Sequence, residues 1–442
     1  MKVMIMEHNE RGSTLIIVVW FIAIAGILAT FLFYSSQAQQ ASVVHFEKQQ
    51  RYTQIAQAVL HEYLGLLVKD DKEFNSPQDD WYAKGRVDVS PKEYEGYEVT
   101  LIIEDEGSKP NINTLSEAAL GQLLKIVTTE LASPSDSPSP TASPTPTEAP
   151  PSGSPSAKPE ISLDPILDWR DRNSEPRPGG AENTYYQGLN PSYKSRDGCF
   201  SSREEIKLVK NGDQLYELLA PELTVFGKVN PNTISGETFC DILHSAGDFF
   251  SDSELDTIQE QFEDYRSTRG RFAEVDNVKD LGKITSITLD KFKGLLQIGG
   301  SCNVNMATKT SLSVILKDAG YGDAEVNNIL SRRKTRAFEN VTDTYGLLGY
   351  NLRMTTKEKK KPDDFFTTVS TIIRYQIWVR SEKGQDCYYL DVVWQRQKAG
   401  VKKEWQVTLL ASRELWNKAA PEIPQLEEQT EDEQNKEPSP SP

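Results

Sequence analysis

Cysteine, histidine and positive charge are all scarce in this 442-residue chain, and each shortage excludes a class of protein. Four cysteines cannot staple so long a chain, so it is not a disulfide-dense miniprotein. Four histidines and no Cys-x-x-Cys motif leave little material for a zinc or thioredoxin-like site. With 49 Lys and Arg against 65 Asp and Glu, the net charge of −16 argues against nucleic-acid binding.

Known catalytic motifs are absent as well. The chain has no Gly-x-Ser-x-Gly, His-Glu-x-x-His or phosphate-loop pattern. His8 precedes the first apolar run, His45 and His61 lie on the helix predicted after it, and His244 follows another predicted helix. We therefore predict that the chain is not an enzyme. A membrane-anchored hydrolase that uses only carboxylates is the alternative.

A long apolar run lies near the N-terminus. Residues 14–34 carry no charge, and a helix of 21 residues spans about 30 Å, the thickness of a hydrocarbon core. The run predicts a single-pass membrane anchor. It exceeds the apolar region of an ordinary secretory signal, although cleavage after Ala38 is an alternative.

A short polar leader ends in Arg11-Gly12, directly before this run. The pattern resembles the signal of prepilins and pseudopilins, in which a membrane peptidase cuts after the glycine and methylates the new N-terminus. The resemblance implies cleavage between Gly12 and Ser13 and methylation of Ser13. It also implies that the apolar helix serves both as membrane anchor and as filament core.

The fifth mature position carries Ile17, where most pilins carry glutamate. In those families the buried carboxylate neutralises the N-terminal amine of the adjacent subunit during assembly. An unpaired charge in lipid is costly, so the glutamate is tolerable only with its partner. A subunit with no neighbour ahead of it needs no glutamate, and Ile17 therefore predicts the filament tip. An unrelated anchor with one more lipid-facing residue is the alternative.

The chain beyond the span predicts one long helix, one sheet and a helical insertion. Apolar residues at three- and four-residue steps from Tyr52 to Leu67 continue the helix. Strand patterns occur at 85–89, 94–104, 367–380, 387–395 and 405–411. The predicted fold class is α+β: a long N-terminal transmembrane helix packed on an antiparallel pseudopilin-type sheet, with a large all-helical domain inserted between strands.

Composition sets two segments apart. Residues 133–159 hold nine of the 24 prolines, with Ser and Thr between them and no large apolar side chain, which predicts an exposed, disordered linker. The acidic tail from Ala419 ends in Pro-Ser-Pro-Ser-Pro and predicts disorder too.

The whole chain is predicted to divide into six parts. They are the leader 1–12, the helix 13–68, the first sheet segment 69–110, the inserted helical domain 111–355 with its linker 133–160, the second sheet segment 356–416 and the tail 417–442.

A motif occurs three times in the middle region, starting at Asn111, Asn230 and Asn303. Each copy has Asn-x-Asn, then a Ser or Thr five residues after the first Asn, then apolar residues at positions nine, twelve and thirteen. The hydroxyl can cap a helix, the apolar positions share one helical face, and both Asn side chains can bond nearby backbone. Each copy predicts a turn and a short helix that packs on neighbouring units.

Further motifs follow in order: Leu167–Asn173, then Arg-Pro-Gly-Gly-Ala-Glu over 177–182, Tyr185-Tyr186, 203–209 and 229–233. Together they resemble the general secretion pathway protein K family, the large minor pseudopilin of type II secretion systems. The resemblance covers about residues 12–412 without the Pro/Ser linker. A tip minor pilin of a type IV pilus or competence-type filament is the alternative, although most of those lack a helical insertion.

The resemblance implies a non-enzymatic subunit that initiates the pseudopilus at its tip and supports export of folded proteins across the outer membrane. The implied partners are other minor pseudopilins in a tip complex, the major pseudopilin, the inner-membrane assembly platform and the prepilin peptidase, and no nucleic acid. The implied location is the inner membrane, single-pass, with the C-terminal bulk in the periplasm.

The acidic residues Asp168, Asp171, Asn173 and Glu182 offer hard oxygen ligands without His or Cys, which suits calcium. The protein K family is also associated with bound calcium. A solvated loop with helix-capping carboxylates is the alternative.

Cysteines Cys199, Cys240, Cys302 and Cys387 would face an oxidising compartment after export. Four cysteines allow three complete pairings, and the sequence does not choose among them. We expect at least one disulfide, with single buried thiols as the alternative.

Overall fold

The computed structural model describes residues 10–89, 94, 96–132, 161–351, 359–382, 386–399, 404–417 and 420–423. The Pro/Ser linker, most of the leader and the tail beyond residue 423 lie outside the described residues. The helices are α1 (Glu10–Lys69), α2 (Glu117–Ala132), α3 (Asp164–Arg170), α4 (Asn183–Gln187), α5 (Gly212–Leu219), α6 (Gly236–Ala246), α7 (Asp252–Thr268), α8 (Ser286–Phe292), α9 (Lys309–Asp318) and α10 (Asp323–Thr335). The strands are β1 (Arg86–Val89), β2 (Tyr97–Asp105), β3 (Cys302–Asn303), β4 (Phe366–Thr367), β5 (Ile372–Ser381), β6 (Cys387–Ala399) and β7 (Glu404–Trp416).

The N-terminal helix α1 has two different halves. Large apolar side chains from Leu15 to Tyr34 are exposed, and among the described residues this is the one helix long and apolar enough to cross a membrane. The predicted three- and four-residue steps form a buried stripe of Tyr52, Ile55, Ala56, Val59, Leu60 and Leu67. The first half is therefore suited to lipid and the second half to packing on protein.

The second half of α1 packs on a five-stranded antiparallel sheet in the order β1-β2-β5-β6-β7. Strands β2 and β5 pair directly, with Thr100 opposite Trp378, although residues 106–371 lie between them in sequence. The predicted α+β class, with one antiparallel sheet interrupted by an insertion, is confirmed. The insertion joins the sheet near Leu67, close to the end of α1. Arg396 of β6 donates both to the carbonyl of Ser370, near the end of the insertion, and to the carbonyl of Leu67, at 3.2 Å. The insertion therefore lies at the end opposite the apolar half of α1.

The largest differences from the predicted strand bounds are in β6, β7 and the segment 367–380. β6 continues to Ala399 because it forms a two-stranded ribbon with the start of β7 beyond Ile372, the first residue of β5, and β7 continues to Trp416 because it pairs with β6 as far as Tyr388. The predicted strand over 367–380 is divided: β4 pairs in parallel with β3, and β5 starts at Ile372. The chain turns between them at Ser370, whose hydroxyl donates to Asp105 at 2.5 Å. The insertion therefore contains a short parallel strand pair and is not all-helical.

The sheet is covered differently on its two faces. The main core lies under α1 and includes Leu101, Tyr375 and Leu390. The outer face carries a small cluster of Ile102, Trp378 and Tyr389, against which Ala420 and Ile423 pack. Tail residues 420–423 therefore lie on the sheet, which corrects the disorder predicted for this part of the tail.

The insertion holds three further hydrophobic cores, one for each copy of the repeat. We call these copies, with the residues packed around them, the first, second and third units. The first core contains Leu120 and Leu123, the second contains Phe239 and Leu243, and the third contains Leu312 and Leu316. Each repeat helix therefore buries its predicted apolar stripe.

Candidate functional site

The three repeat turns share one arrangement of hydrogen bonds. In each turn, the side-chain oxygen of the first Asn accepts from the backbone N–H two residues later, at 2.9, 3.0 and 2.9 Å. The predicted helix caps Ser116, Ser235 and Thr308 each accept from the N–H three residues later, at 3.2, 3.1 and 3.0 Å. The local chemistry predicted for the turn and its cap is confirmed.

The second Asn of each turn reaches a distant segment instead of nearby backbone. Asn113 donates to the carbonyl of Phe200 at 3.0 Å and accepts from its N–H at 2.8 Å. The same two bonds join Asn232 to Phe272 and Asn305 to Phe338. An amide side chain has the donor and acceptor of a peptide group, so it pairs with backbone as a strand would. The local bonds predicted for this second Asn were wrong.

An arginine also clamps each turn, and no sequence pattern revealed it. Arg170, Arg266 and Arg333 each donate to the backbone carbonyl directly after the first Asn, at 2.7, 2.8 and 3.1 Å. They follow that Asn by 59, 36 and 30 residues, so a fixed spacing does not exist. These arginines could be recognised only once the positions of the helices in the fold were known.

The third turn lies in a buried polar cluster where the insertion joins the sheet. We call Asn75, Asp105, Asn303, Ser370 and Arg396 the junction cluster; each is less than a tenth exposed. Asn303 donates to the Ser370 hydroxyl at 2.9 Å, and the Ser370 N–H donates to the Asn75 side chain at 3.0 Å. Arg396 donates to the Ser370 carbonyl at 2.7 Å and also to Asn75. The cluster connects the loop after α1, the sheet and the third unit.

Two adjacent carboxylates at this junction have pKa values that are shifted in opposite directions. Burial raises the pKa of Asp105 to about 6, and its hydrogen bond from Ser370 offsets only part of that effect. Burial also opposes ionisation of Glu106, but Lys109 and Arg374 outweigh it and lower the pKa to about 2. Arg374 donates to both Glu106 oxygens, at 2.9 and 3.0 Å. Glu106 is therefore a charged anchor, whereas Asp105 is poised to bind a proton.

The predicted acidic site lies where α3 meets the Arg-Pro-Gly-Gly segment, residues 177–180. Asp168 is fully buried and accepts from the backbone N–H groups of Arg177 at 3.1 Å and Ala181 at 2.9 Å. A Cβ on Gly180 would lie 1.8 Å from an Asp168 oxygen, so only glycine allows this approach. We call this arrangement the acidic loop; its central carboxylate anchors the chain that wraps around it.

The other predicted ligands face different partners. Asp171 lies 3.9 Å from the Arg177 guanidinium, whereas the Asn173 side chain accepts from the backbone N–H of Glu175 at 2.8 Å. Burial, with repulsion from Asp168, raises the pKa of Asp171 to about 6. Burial and neighbouring carboxylates likewise raise the pKa of Glu182 to about 7.

The four predicted calcium ligands are not gathered into one metal-binding group among the described residues. Within the described part of the chain, no group of three or more Asp, Glu, His or Cys residues is placed to hold a metal ion. Asp168 accepts from backbone N–H groups, and the Arg177 guanidinium lies 3.4 Å from it and 3.9 Å from Asp171. Calcium binding stays a prediction from the sequence; the contacts support anchoring of the loop.

The four cysteines are free thiols, and no disulfide joins them. Cys240 is buried in the core of the second unit and Cys302 in the core of the third, whereas Cys199 and Cys387 are half-buried. Burial raises the pKa of Cys240 to about 12 and also raises that of Cys302. Cys199 packs on the same core as Cys240, whereas Cys302 lies in another core, and the expected disulfide stays a prediction.

The prepilin-type residues lie at the start of α1. Gly12 and Ser13 belong to its first turns, and Ile17 is 65% exposed on the apolar half. The first acidic residue after Ser13 is Glu47, so the apolar span carries no carboxylate.

Comparison with known proteins places one family on part of the chain. Residues 152–228 match the sequence model of the family described as type II secretion system, protein K. This segment contains the acidic loop and Tyr185-Tyr186, so the predicted resemblance is confirmed over these residues. No curated protein matches the chain at a significant level. Among solved structures, the chain is similar, at 12% identity and a TM-score of 0.47, to a chain of the GspK-GspI-GspJ complex from the enterotoxigenic Escherichia coli type 2 secretion system, over 83% of this chain and 97% of that one.

Proposed function

We propose, from the match of residues 152–228 to the protein K family, that this chain is a minor pseudopilin of a type II secretion system. The match is the single observation that carries the proposal, and it falls on the acidic loop with its Asp168 anchor. The proposed role is structural and non-enzymatic: the chain initiates the pseudopilus with other minor pseudopilins and supports export of folded proteins.

The proposed location is the inner membrane, with the sheet and the insertion in the periplasm. The exposed apolar side chains from Leu15 to Tyr34 support an anchor, because a helix of this length matches the hydrocarbon thickness. The prepilin peptidase would cut after Gly12 and methylate Ser13.

The proposed position is the tip of the filament. Ile17 supports it, since a subunit without the carboxylate cannot neutralise the amine of a subunit ahead of it. The insertion over residues 106–371 supports it as well, because a body of that size at the end opposite the membrane would obstruct a further subunit. The shaft below would consist of the major pseudopilin, delivered by the inner-membrane assembly platform.

Affinity purification of the full chain from detergent-solubilised membranes tests the proposal. We expect other minor pseudopilins encoded in the same genome to be recovered in near-equal amounts. Recovery of retraction or adhesion pilins would contradict the secretion assignment. Recovery of no pilin-like protein at all would contradict the whole proposal.

Mass measurement of the mature N-terminus tests the processing step. We expect a chain that begins at methylated Ser13, and we expect Gly12→Val to retain the leader. Gly26→Val is the matched control, because a Cβ there meets nothing within 4 Å and the site is remote from the cleavage position. An intact Met1 in the mature membrane form would contradict the prepilin assignment.

The location of this chain along isolated filaments tests the tip position. Immunogold labelling of isolated filaments should find this chain at one end only. Label distributed along the shaft would contradict the role proposed for Ile17.

A further inference from the structure

An apolar island lies on the outer face of the sheet, away from the core under α1. Ile102, Trp378 and Tyr389 form it, and the two rings lie 4.8 Å apart between centroids. Gln376 donates to the Tyr389 hydroxyl at 2.8 Å and so fixes that ring. Thr100 of β2 borders the island on this face, so the island has a polar side chain next to it.

A short segment after β7 covers this island. The chain turns back at Asn417, which has a φ of 51°, and the Ala420 N–H donates to the Asn417 carbonyl at 2.9 Å. The Trp378 indole N–H then donates to the carbonyl of Pro421 at 2.9 Å. Ile423 packs on the same island. We call residues 420–423 the strap.

The contacts of the strap match the chemistry of proline-peptide recognition. Proline has a preset φ and no N–H, so an extended proline segment loses little entropy on docking and presents its carbonyls as acceptors. Aromatic grooves with a nearby donor bind such segments. Here the Trp378 N–H is the donor, Pro421 supplies the carbonyl, and residues 421–423 are neither helical nor paired as a strand.

The strap is held by few contacts. Pro421 and Glu422 remain exposed, and only Ala420 and Ile423 are partly buried. A segment with so little buried apolar surface opens far more easily than the sheet beneath it. Opening would expose Trp378 and Tyr389, which are 1% and 3% exposed when covered.

We propose that Ile102, Trp378 and Tyr389 form a docking site for an extended, proline-containing peptide, and that the strap fills this site in cis as a releasable ligand. The attachment of the strap to the same chain gives it a high effective concentration, so it competes with any free peptide of the same chemistry. This inference does not depend on the proposed secretion function.

Cleavage by a glutamate-specific protease on the full chain in detergent tests the strap. Cleavage after Glu422 should be roughly fivefold slower than after Glu427, once each rate is divided by that of a free peptide spanning residues 417–430. Trp378→Phe should remove most of this protection, since it deletes the indole donor but keeps an aromatic ring. Trp405→Phe, at a tryptophan that stacks on Arg396 instead, is the matched control. Equal normalised rates at both sites in the unaltered chain would overturn the proposal.

Peptide binding tests the site without relying on a Trp378 variant. A labelled peptide of residues 419–426 should bind full-length Ile423→Asp at least roughly tenfold more tightly than the unaltered chain, where the strap competes. The same peptide with Pro421→Ala should bind about fivefold more weakly. Excess unlabelled peptide should also accelerate cleavage after Glu422 in the unaltered chain. Absence of peptide binding to Ile423→Asp would overturn the docking site.

Protein concentration distinguishes a strap in cis from one exchanged between two copies. Protection of Glu422 should be the same over a hundredfold range of concentration. Protection that grows with concentration would show that a second copy supplies the segment and would overturn the cis assignment.

Discussion

Glu106, next to Asp105 of the junction cluster, and the carboxylates of the acidic loop are all buried beside arginine, yet their charges are balanced differently. At the junction, Arg374 makes two hydrogen bonds to Glu106 and Lys109 lies 3.8 Å away, and the pKa of Glu106 is about 2. In the acidic loop, the pKa of Asp171 is about 6 and that of Glu182 about 7. Glu106 is therefore matched by cations, whereas Asp171 and Glu182, like Asp105 of the junction cluster, are not.

The two regions are therefore stabilised by different interactions. An ion pair that is buried and fully bonded ties the insertion to the sheet, and losing one partner leaves an uncompensated charge. The acidic loop instead uses Asp168 as an acceptor for backbone N–H groups, so its stabilisation comes from hydrogen bonds more than from paired charge. Four measurements test this comparison.

The largest effect is expected from Arg374→Met at the junction. It leaves Glu106 buried without its main partner, and we expect a loss of about 3–5 kcal/mol in the free energy of unfolding of the full chain in detergent. Adding Glu106→Gln to the same chain should restore part of the loss. Arg380→Met, on the same strand but next to its last residue, is the control and should cost under about 0.5 kcal/mol. A loss below about 1 kcal/mol for Arg374→Met would remove the contrast.

The next effect is expected in the acidic loop. Asp168→Ala leaves the N–H groups of Arg177 and Ala181 without an acceptor, and we expect a loss of about 2–3 kcal/mol in thermal unfolding. The loss should be equal in calcium and in chelator if the residue acts only as an anchor. Asp213→Ala, at an exposed position on α5, is the control. A loss seen only in calcium would support the predicted metal site instead.

A smaller effect is expected from pH. Asp105 has a folded pKa of about 6, above its unfolded value, so the folded state binds the extra proton and Asp105 should contribute about 1 kcal/mol of added stability from pH 7 to pH 5. Glu106 has a folded pKa of about 2, below its unfolded value, so its contribution is lost as the pH falls below about 4.5. Asp171 and Glu182 act in the same direction, because their folded pKa values are also raised, so Asp105→Asn should remove only the contribution of Asp105 and should keep the acid loss. The same slope in the variant as in the unaltered chain would contradict the role given to Asp105.

The smallest effect is expected at the contact between the first unit and the sheet edge. Arg413 of β7 lies 2.7 Å from Glu204, and both side chains are well exposed. Arg413→Ala should cost under about 1 kcal/mol in urea unfolding, and the cost should vanish in 1 M salt. A larger loss that persists in salt would place this contact among the anchors of the insertion.

Features with a local cause could be predicted from the sequence. Helix α1 follows from its apolar run and the steps after Tyr52, and its observed end at Lys69 lies one residue past the predicted end. The caps at Ser235 and Thr308 follow from side-chain chemistry that acts within one helical turn. The single antiparallel sheet could be predicted because its strands alternate or are continuously apolar.

Features with distant partners could not be predicted. Asn305 and Phe338 are 33 residues apart, and nothing in either neighbourhood indicates the other. The same holds for Arg374 and Glu106, which are 268 residues apart in sequence and form a buried ion pair. The calcium prediction came from a cluster of oxygen ligands and from the family resemblance, and neither indicated that Arg177 lies 3.4 Å from Asp168 and 3.9 Å from Asp171.

The membrane-type helix, the three turns with their caps, and the division of the sheet around an insertion follow from the amino-acid sequence, because periodicity and capping act over a few residues. Which carboxylates are matched by cations, and the contact of Pro421 with Trp378, depend on the folded chain. The ionisation of a buried group and the cover over an apolar patch are set by what distant segments bring within a few ångströms.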